Sequence, residues 1–201
     1  MIFLSGHVCE ELKCREGFGF IITPFMGNRI ACGQVWAADT GCYAQPEEFS
    51  LEKYYRWLEQ RDRFSCLFAT APDRLGDWPA TLARSLPVVA DLKRLGYRPA
   101  VVAQDGATAE NFPWDACDAV FIGGTTEWKL QDAAVIGLLE EAGRRGKWRH
   151  MGRVNSWERA VVAKLRECDS IDGTLLAFGK DANLGILFEW MNGINRQLSL
   201  W

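Results

Sequence analysis

Short apolar segments alternate with amphipathic helical segments along most of the chain, and this alternation limits the fold more than any other feature. Strand-like segments lie at 2–6, 34–38, 65–70, 99–103, 119–122, 148–151 and 170–173. Helical segments separate most of them, and the pattern recurs at roughly 25-residue intervals. The alternation predicts βαβ units and therefore a parallel sheet. Residues 18–29 are predicted to be irregular extended chain or a hairpin.

The size and composition of the chain are those of one domain. With 201 residues, of which 48% are hydrophobic, residues 1–201 can bury one substantial core. Seven or eight strands leave two architectures, an open doubly wound sheet or a closed (β/α)8 barrel.

Polar residues and glycines follow successive predicted strands, and they decide between the two architectures. A barrel collects its site from the C-terminal ends of several strands, whereas an open sheet concentrates it at one switch point. No GxGxxG or GxxxxGK[ST] motif follows any strand, which also weakens a nucleotide-binding open sheet. We therefore predict a compact (β/α)8 barrel of the TIM type, with candidate site residues Asp39, Asp73, Gln104, Gly123, Gly124, Gly152 and Asp172.

Asp172 is the first of these candidates. The segment 150–174 reads as strand, helix and strand, with Ser156 as the helix N-cap and Glu158 in its first turn. Asp172 ends the second strand, where a carboxylate is costly unless it is paired or used. Gly173 follows it and allows a close approach of the backbone.

The charge and the cysteines limit the functional classes. A net charge of −3 argues against an evenly basic nucleic-acid-binding surface. Seven scattered cysteines without a CxxC pair predict free thiols in a reducing compartment and no zinc site. The N-terminus becomes acidic too early for a signal peptide, and no apolar run approaches about 20 residues. We expect a cytoplasmic protein without a membrane span.

One cluster of basic residues is a candidate for binding phosphates. Most of it lies at a predicted helix C-terminus, where cations are expected anyway. Arg153 lies just beyond a strand end and is the better phosphate candidate. The cluster consists of Arg144, Arg145, Lys147, Arg149 and Arg153.

Acidic residues beside an amide at one rim suit chemistry at a glycosidic carbon. One carboxylate attacks or stabilises an oxocarbenium-like centre while another handles protons. Gln104 offers both a donor and an acceptor to the edge of a nucleobase. Each acid taken alone is more often a helix cap or part of a surface ion pair.

Five segments carry a family resemblance, in the family's order and each at a strand end. They resemble motifs of the tRNA-guanine transglycosylase superfamily. In chain order these motifs are an Asp-Ser-Gly-Gly segment, a base-recognising Asp, a Val-Gln-Gly segment, an Ile-Gly-Gly segment, and the pair Leu-Met-Gly and Asp-x-Phe-Asp. The likeness is closer to its small phage-type DNA-guanine transglycosylases. The segments are Ala38-Asp39-Thr40-Gly41, Ala71-Pro72-Asp73, Val102-Ala103-Gln104-Asp105-Gly106, Phe121-Ile122-Gly123-Gly124, and His150-Met151-Gly152 followed by Asp169-Ser170-Ile171-Asp172.

The resemblance implies a role for each matching position. Asp172 would attack C1′ of the sugar and expel guanine, leaving a covalent glycosyl-enzyme. Asp39 would deprotonate an incoming 7-deazaguanine-type base, and Asp73, Gln104 and Gly124 would hold the base. No cofactor and no metal are implied for this chain.

The chain also departs from the family, and the departures leave alternatives open. It lacks the clustered cysteines of the zinc subdomain that the tRNA enzymes carry, which favours DNA over tRNA as substrate. Cys42 replaces a glycine of the first motif, and Asp77 competes with Asp73 for contact with the base. Glu127 either caps a helix or binds the base, and His150 is expected to be a hydrogen-bonded structural histidine.

Two other functions remain as alternatives to base exchange in DNA. The first is an N-glycosidase or ribosyltransferase that acts on free nucleosides or nucleotides. The second is a catalytically silent binder of a nucleobase or nucleic acid. The sequence also leaves open a homodimer, or a partner protein that supplies contacts to DNA.

Overall fold

The computed structural model describes residues 1–27, 30–31 and 33–197, with the side chain of residue 197 excluded. Eight parallel strands close into a barrel in chain order, so β1 pairs with both β2 and β8. This confirms the predicted single-chain α/β barrel. The strands are β1 Ile2–Ser5, β2 Phe18–Ile22, β3 Trp36–Ala38, β4 Cys66–Thr70, β5 Pro99–Ala103, β6 Ala119–Ile122, β7 Trp148–Met151 and β8 Ser170–Gly173.

Helices cover the outside of the barrel, and polar N-caps fix where five of them start. Ser50 accepts a hydrogen bond from the N–H of Lys53, and Asp77 and Ser156 cap their helices in the same way. In the described part of the chain no helix is long and apolar enough to cross a membrane. The helices are α1 Leu51–Glu59, α2 Trp78–Arg94, α3 Thr126–Gln131, α4 Ala133–Arg144, α5 Trp157–Leu165 and α6 Lys180–Gln197.

Two local expectations are corrected. The apolar spacing of Trp128, Val135 and Leu138 predicts one helix from Glu127 to Gly146. The structure has two helices there, because Asp132 ends α3 and its side chain accepts from the N–H of Ala134 to cap α4. The expected irregular or hairpin segment begins with β2, which pairs in parallel with β1 and β3. Residues 28 and 29 of that segment lie outside the described residues.

Short connections explain how an eight-stranded barrel fits into 201 residues. Residues 6–17 contain one 3-10 turn, and residues 104–118 contain no helix. Aromatic side chains cover the barrel where these connections lack a helix. Phe112 stacks on Trp78 of α2 with ring centroids 5.7 Å apart, and Phe188 of α6 packs edge-on against Phe18 of β2.

Side chains of alternate strand residues fill the barrel interior, and this alternation positions the site. Ala37, Val102 and Phe121 are buried interior side chains near the C-terminal ends of their strands. The residues two positions further along, Asp39, Gln104 and Gly123, therefore face the barrel mouth. The interior hydrophobic cluster consists of Leu4, Ile21, Ala37, Phe68, Ala100, Val102, Ala119 and Phe121.

The described cysteines are all free thiols. Cys9, Cys42, Cys66, Cys117 and Cys168 are buried and Cys14 is exposed, whereas Cys32 lies outside the described residues. Burial raises the pKa of Cys66 to about 12 and that of Cys117 to about 11. These buried thiols are poor nucleophiles at neutral pH.

Candidate active site

A cavity of about 170 Å³ opens at the C-terminal ends of the barrel strands. It brings together six of the eight predicted site residues. Gly124 and Gly152 lie beside it and contact its lining. The lining residues are Asp39, Tyr43, Thr70, Asp73, Leu75, Val102, Gln104, Phe121, Gly123, Arg153 and Asp172.

Asp172 is an oriented carboxylate at the mouth of the barrel. Its side chain is 15% exposed, and its register partner on β1 is Leu4, an interior residue. The N–H of Arg153 donates to Oδ1 at 3.1 Å, and the Nε2 atom of His150 lies 2.9 Å from Oδ2. The backbone of Arg153 is in the left-handed region, with φ 57°, in the conformation that directs this N–H at Asp172.

His150 is hydrogen-bonded, as expected, but its partner is the candidate nucleophile. The side chain is fully buried, and its Nδ1 atom lies 2.8 Å from the hydroxyl of Ser170. Both ring nitrogens are therefore engaged, and His7 is exposed. No group of three or more His, Cys, Asp or Glu residues in the described part of the chain could hold a metal ion.

Asp39 is a carboxyl group suited to moving a proton near neutral pH. Burial raises its pKa to about 6, and the negative charges of Asp73 and Asp172 act in the same direction. The N–H of Gly41 donates to Oδ1 at 2.7 Å and opposes this shift. A group whose pKa lies near the working pH is an effective general acid or base.

Asp73 faces the same cavity and is held by two neighbours. Gln104 Nε2 donates to its Oδ2 at 2.6 Å, and Cys42 Sγ lies 3.3 Å from its Oδ1. Burial raises the pKa of Asp73. Asp77 does not line the cavity; its carboxylate accepts from the N–H of Ala80 as the cap of α2.

The Gln104 side chain makes most of its hydrogen bonds to other groups of the protein. Its side chain is 1% exposed, and its Oε1 atom accepts from the N–H groups of Gly76 and Gly124. One hydrogen of Nε2 is bound to Asp73, so a single amide hydrogen remains for a ligand. Gln104 therefore fixes the Asp73 carboxylate and the loop that starts at Gly123.

The Gly123–Gly124 turn is also engaged within the protein. The N–H of Gly123 donates to Ala103 and that of Gly124 to Gln104. Arg153 Nη2 donates to the carbonyl oxygens of both glycines, so the candidate phosphate-binding side chain is turned inward. Gly124 has φ +46° and faces the Trp128 ring, so a side chain there would be strained.

Lys129 is a buried cation beside the site that the sequence analysis missed. Its side chain is 3% exposed, and its Nζ atom donates to the carbonyl oxygen of Gly152. Burial lowers its pKa to about 7, and Arg153 adds to this effect. Gly152 leaves room for the ring of Phe121, because a Cβ atom there would lie 2.5 Å from it.

Glu127 and most of the basic cluster lie away from the cavity. Glu127 is exposed, and Thr125 rather than Glu127 caps α3. The cluster around the start of β7 is paired with acids, for example Arg144 with Glu141 and Arg149 with Glu167. Because these residues come between the end of α4 and the start of β7, they lie at the opposite end of the barrel from Asp172, as expected.

The connections that lead from strands to helices at the cavity end carry more acids than bases. Five connections lead from a strand toward a helix at this end, 39–50, 71–77, 123–125, 152–156 and 174–179. They hold five acidic residues and two arginines. Arg153 is turned inward, and the Arg74 side chain lies 3.8 Å from Asp77. The acids are Asp39, Glu47, Glu48, Asp73 and Asp77.

Sequence reasoning missed several lining residues as well as the His150–Asp172 contact. Thr70 and Phe121 line the cavity because each is the last inward-facing residue of its strand. His150 follows from the same alternation, since β7 and β8 are neighbours and His150 pairs in register with Ser170, two residues before Asp172. The alternation of inward- and outward-facing side chains along the strands could have identified these residues. Tyr43 lies on a loop, where no such alternation applies.

Comparisons with known proteins do not identify the chain. It matches no protein-family model, and no curated protein is significantly similar to it.

Proposed function

We propose that the chain transfers a glycosyl group at the N-glycosidic bond of a nucleobase, through a covalent intermediate on Asp172. In the form that the family resemblance implies, guanine in DNA is exchanged for a 7-deazaguanine-type base. The observation that carries the proposal is the meeting of Asp39, Asp73 and Asp172 in one cavity, each with different hydrogen-bond partners.

The first step uses the charge and orientation of Asp172. An N-glycosidic bond breaks through a transition state with positive charge on the sugar carbon, which a facing carboxylate stabilises. As the C1′–nitrogen bond breaks, its electron pair leaves with the base, which takes up a proton from water, and an Asp172 oxygen bonds to C1′. The hydrogen bonds from Arg153 and His150 hold the carboxylate in one orientation for this attack.

The second step uses the proton affinity of Asp39. The incoming base must lose a proton from the nitrogen that attacks C1′, and a carboxylate with a pKa of about 6 accepts it at neutral pH. The new C1′–nitrogen bond forms as the C1′–oxygen bond breaks, and its electron pair returns to Asp172. The enzyme then holds one additional proton on Asp39, which is lost to water.

The acceptor-rich lining suits a base that presents N–H donors. Guanine carries adjacent ring N–H and amino donors on one edge, and Asp73 offers carboxylate oxygens to such an edge. Gln104 holds the Asp73 carboxylate in place. This arrangement supports guanine-type bases over bases whose corresponding edge carries only acceptors.

A second candidate is glycosyl transfer on free nucleosides or nucleotides, and the charge of the five strand-to-helix connections favours it. Five acids and two arginines on the rim connections would repel a DNA backbone more than attract it. A free nucleoside carries no phosphate and needs no cationic surface. The catalytic steps would be the same.

The test is release of labelled guanine from duplex DNA, single-stranded DNA, tRNA and guanosine, each with and without an added 7-deazaguanine base. Asp172→Asn is the inactive comparison. Asp77→Asn is the matched control, because asparagine preserves the α2 cap and Asp77 does not line the cavity. We expect release by the wild type and by Asp77→Asn alone.

The pattern of release separates the candidates. Release from DNA that depends on the added base supports exchange in a polymer, and release from guanosine alone supports the small-substrate form. No release from any substrate, with the wild type equal to Asp172→Asn, would refute glycosyl transfer by this site.

A further inference from the structure

A series of hydrogen-bonded side chains leads from Trp148 through Ser170 and His150 to Asp172. Trp148 Nε1 lies 2.8 Å from Ser170 Oγ, and Ser170 Oγ lies 2.8 Å from His150 Nδ1. His150 Nε2 lies 2.9 Å from Asp172 Oδ2. Ser170 and His150 are both fully buried, so water does not compete for these hydrogen bonds.

The donors along this chain assign the position of the histidine proton. The indole N–H of Trp148 can only donate, so Ser170 Oγ accepts from it. The one hydroxyl hydrogen of Ser170 is then free to donate to His150 Nδ1. At the other side of the ring, the Asp172 carboxylate can only accept, so Nε2 carries the hydrogen that is donated to Asp172. Nδ1 of the neutral ring is then the acceptor of the Ser170 hydroxyl hydrogen.

Two aromatic rings fix the plane of the imidazole. The centroid of Phe121 lies 4.3 Å from that of His150, and the centroid of Phe68 lies 5.0 Å from it. Both phenylalanines are interior residues of the barrel. The ring is therefore packed as well as hydrogen-bonded, and its Nε2–H stays directed at Asp172.

We propose that His150 is a positioning residue that, as its Nε2–H tautomer, holds the Asp172 carboxylate for attack on the sugar and stabilises it as the leaving group when the glycosyl ester breaks. The proposal rests on the proposed function. In the first step the Asp172–C1′ bond forms and the electron pair of the C1′–nitrogen bond leaves with the base. In the second step the electron pair of the ester bond returns to Asp172. His150 gains and loses no proton in either step.

Substitutions that keep or remove the donor test this role. The amide nitrogen that His150→Gln introduces reaches about as far as Nε2, whereas the one that His150→Asn introduces reaches only about as far as Nδ1. We expect His150→Gln to retain most of the wild-type kcat. We expect His150→Asn and His150→Leu to lose about a hundredfold in kcat at unchanged KM, as removal of a preorganised donor does. Full activity of the asparagine and leucine variants would overturn the proposal.

A double-mutant cycle separates positioning from general packing. Ser170→Ala removes the hydroxyl that assigns the tautomer, so it should lower kcat about tenfold in the wild type. In the His150→Gln background it should have no further effect, because glutamine has no tautomer to assign. Equal losses in both backgrounds would mean that Ser170 acts through packing alone. That result would contradict the proposed hydrogen-bond path from Ser170 through His150 to Asp172.

Nitrogen-15 NMR of histidine-labelled protein tests the tautomer without a substrate. The chain has two histidines, and His7→Gln leaves only the signals of His150. We expect a protonated Nε2 and an unprotonated Nδ1, with the Nε2 signal shifted in Asp172→Asn. A protonated Nδ1 beside a bare Nε2 would overturn the assignment. If the wild type releases no base but the NMR result is as expected, the proposed function fails and the tautomer assignment stands.

Discussion

Asp39 and Asp172 are the same residue type in two different surroundings. Asp172 accepts hydrogen bonds from the Arg153 N–H and from His150, which fix its orientation. Asp39 has one backbone donor, from Gly41, and burial beside two other acids raises its pKa to about 6. Two carboxyl groups separated in this way can divide nucleophilic attack from proton transfer.

The raised pKa of Asp39 has a cost in stability that a neutral residue removes. The folded protein binds more protons than the unfolded chain between about pH 4 and pH 6, so Asp39 lowers stability as the pH rises through that window. Asp39→Asn should therefore raise the free energy of unfolding by about 3 kcal/mol at pH 7.5 and by almost nothing at pH 4. Urea unfolding of both proteins at the two pH values measures this, and destabilisation at pH 7.5 would contradict it.

The same pKa sets the pH dependence of base exchange. If deprotonated Asp39 accepts the proton of the incoming base, kcat should rise with pH up to about 6 and then level off. Steady-state rates between pH 4.5 and 8 measure the profile. Asp77→Asn should show the same rise of kcat with pH, because Asp77 is a helix cap outside the cavity. A flat profile across this range would contradict the role of Asp39.

At the scale of elements, N-caps determine where the helices that carry the site loops begin. Asp77 caps α2 directly after the loop that carries Asp73, and Thr125 caps α3 directly after Gly124. Asp105 in turn accepts from the N–H and the hydroxyl of Thr125. The caps thereby fix the ends of loops whose other ends are fixed by the strands.

Substitution of Asp77 separates its structural role from catalysis. Asp77→Ala should lower the free energy of unfolding by about 1 kcal/mol, whereas Asp77→Asn should change it by a few tenths, because asparagine is an equally good N-cap. Both variants should keep the wild-type kcat. Thermal and chemical unfolding with parallel activity assays measure the effects. Loss of activity in the asparagine variant would mean that Asp77 contacts the nucleobase.

The sequence predicts the barrel and the location of its site better than it predicts side-chain partners. Alternating segments and polar strand ends are local patterns, so the barrel and the cavity residues Asp39, Gln104 and Asp172 follow from them. The His150–Asp172 contact and the bracing role of Gln104 depend on register between strands. The break at Asp132 was missed because the apolar spacing continues across it.

At the scale of the whole molecule, charge is distributed unevenly around a barrel whose net charge is −3. The basic residues near the start of β7 lie at the end opposite the cavity and are paired with acids. The rim connections at the cavity hold more acids than bases. A polyanion approaching the cavity therefore meets little positive charge from these connections.

The salt dependence of DNA binding tests this distribution. Each phosphate contact contributes a slope of about −0.9 to a plot of log K against log salt, and two rim arginines allow at most about −2. Fluorescence anisotropy with duplex and single-stranded DNA across a salt series measures it. A slope of about −5 or steeper would show a phosphate-binding surface that these connections do not supply, and would favour DNA as substrate.

The central claim is a covalent bond between Asp172 and the sugar, and mass spectrometry tests it most directly. The protein is mixed with the substrate that releases base, without an acceptor base, and quenched in acid. Cleavage after Arg166 and Lys180 yields a peptide that contains both Asp169 and Asp172. We predict a mass gain equal to the substrate without its base, a single sugar from a nucleoside or the whole strand from DNA, that fragmentation assigns to Asp172, and no gain in Asp172→Asn. An adduct on another residue, or base exchange without any adduct, would contradict the account.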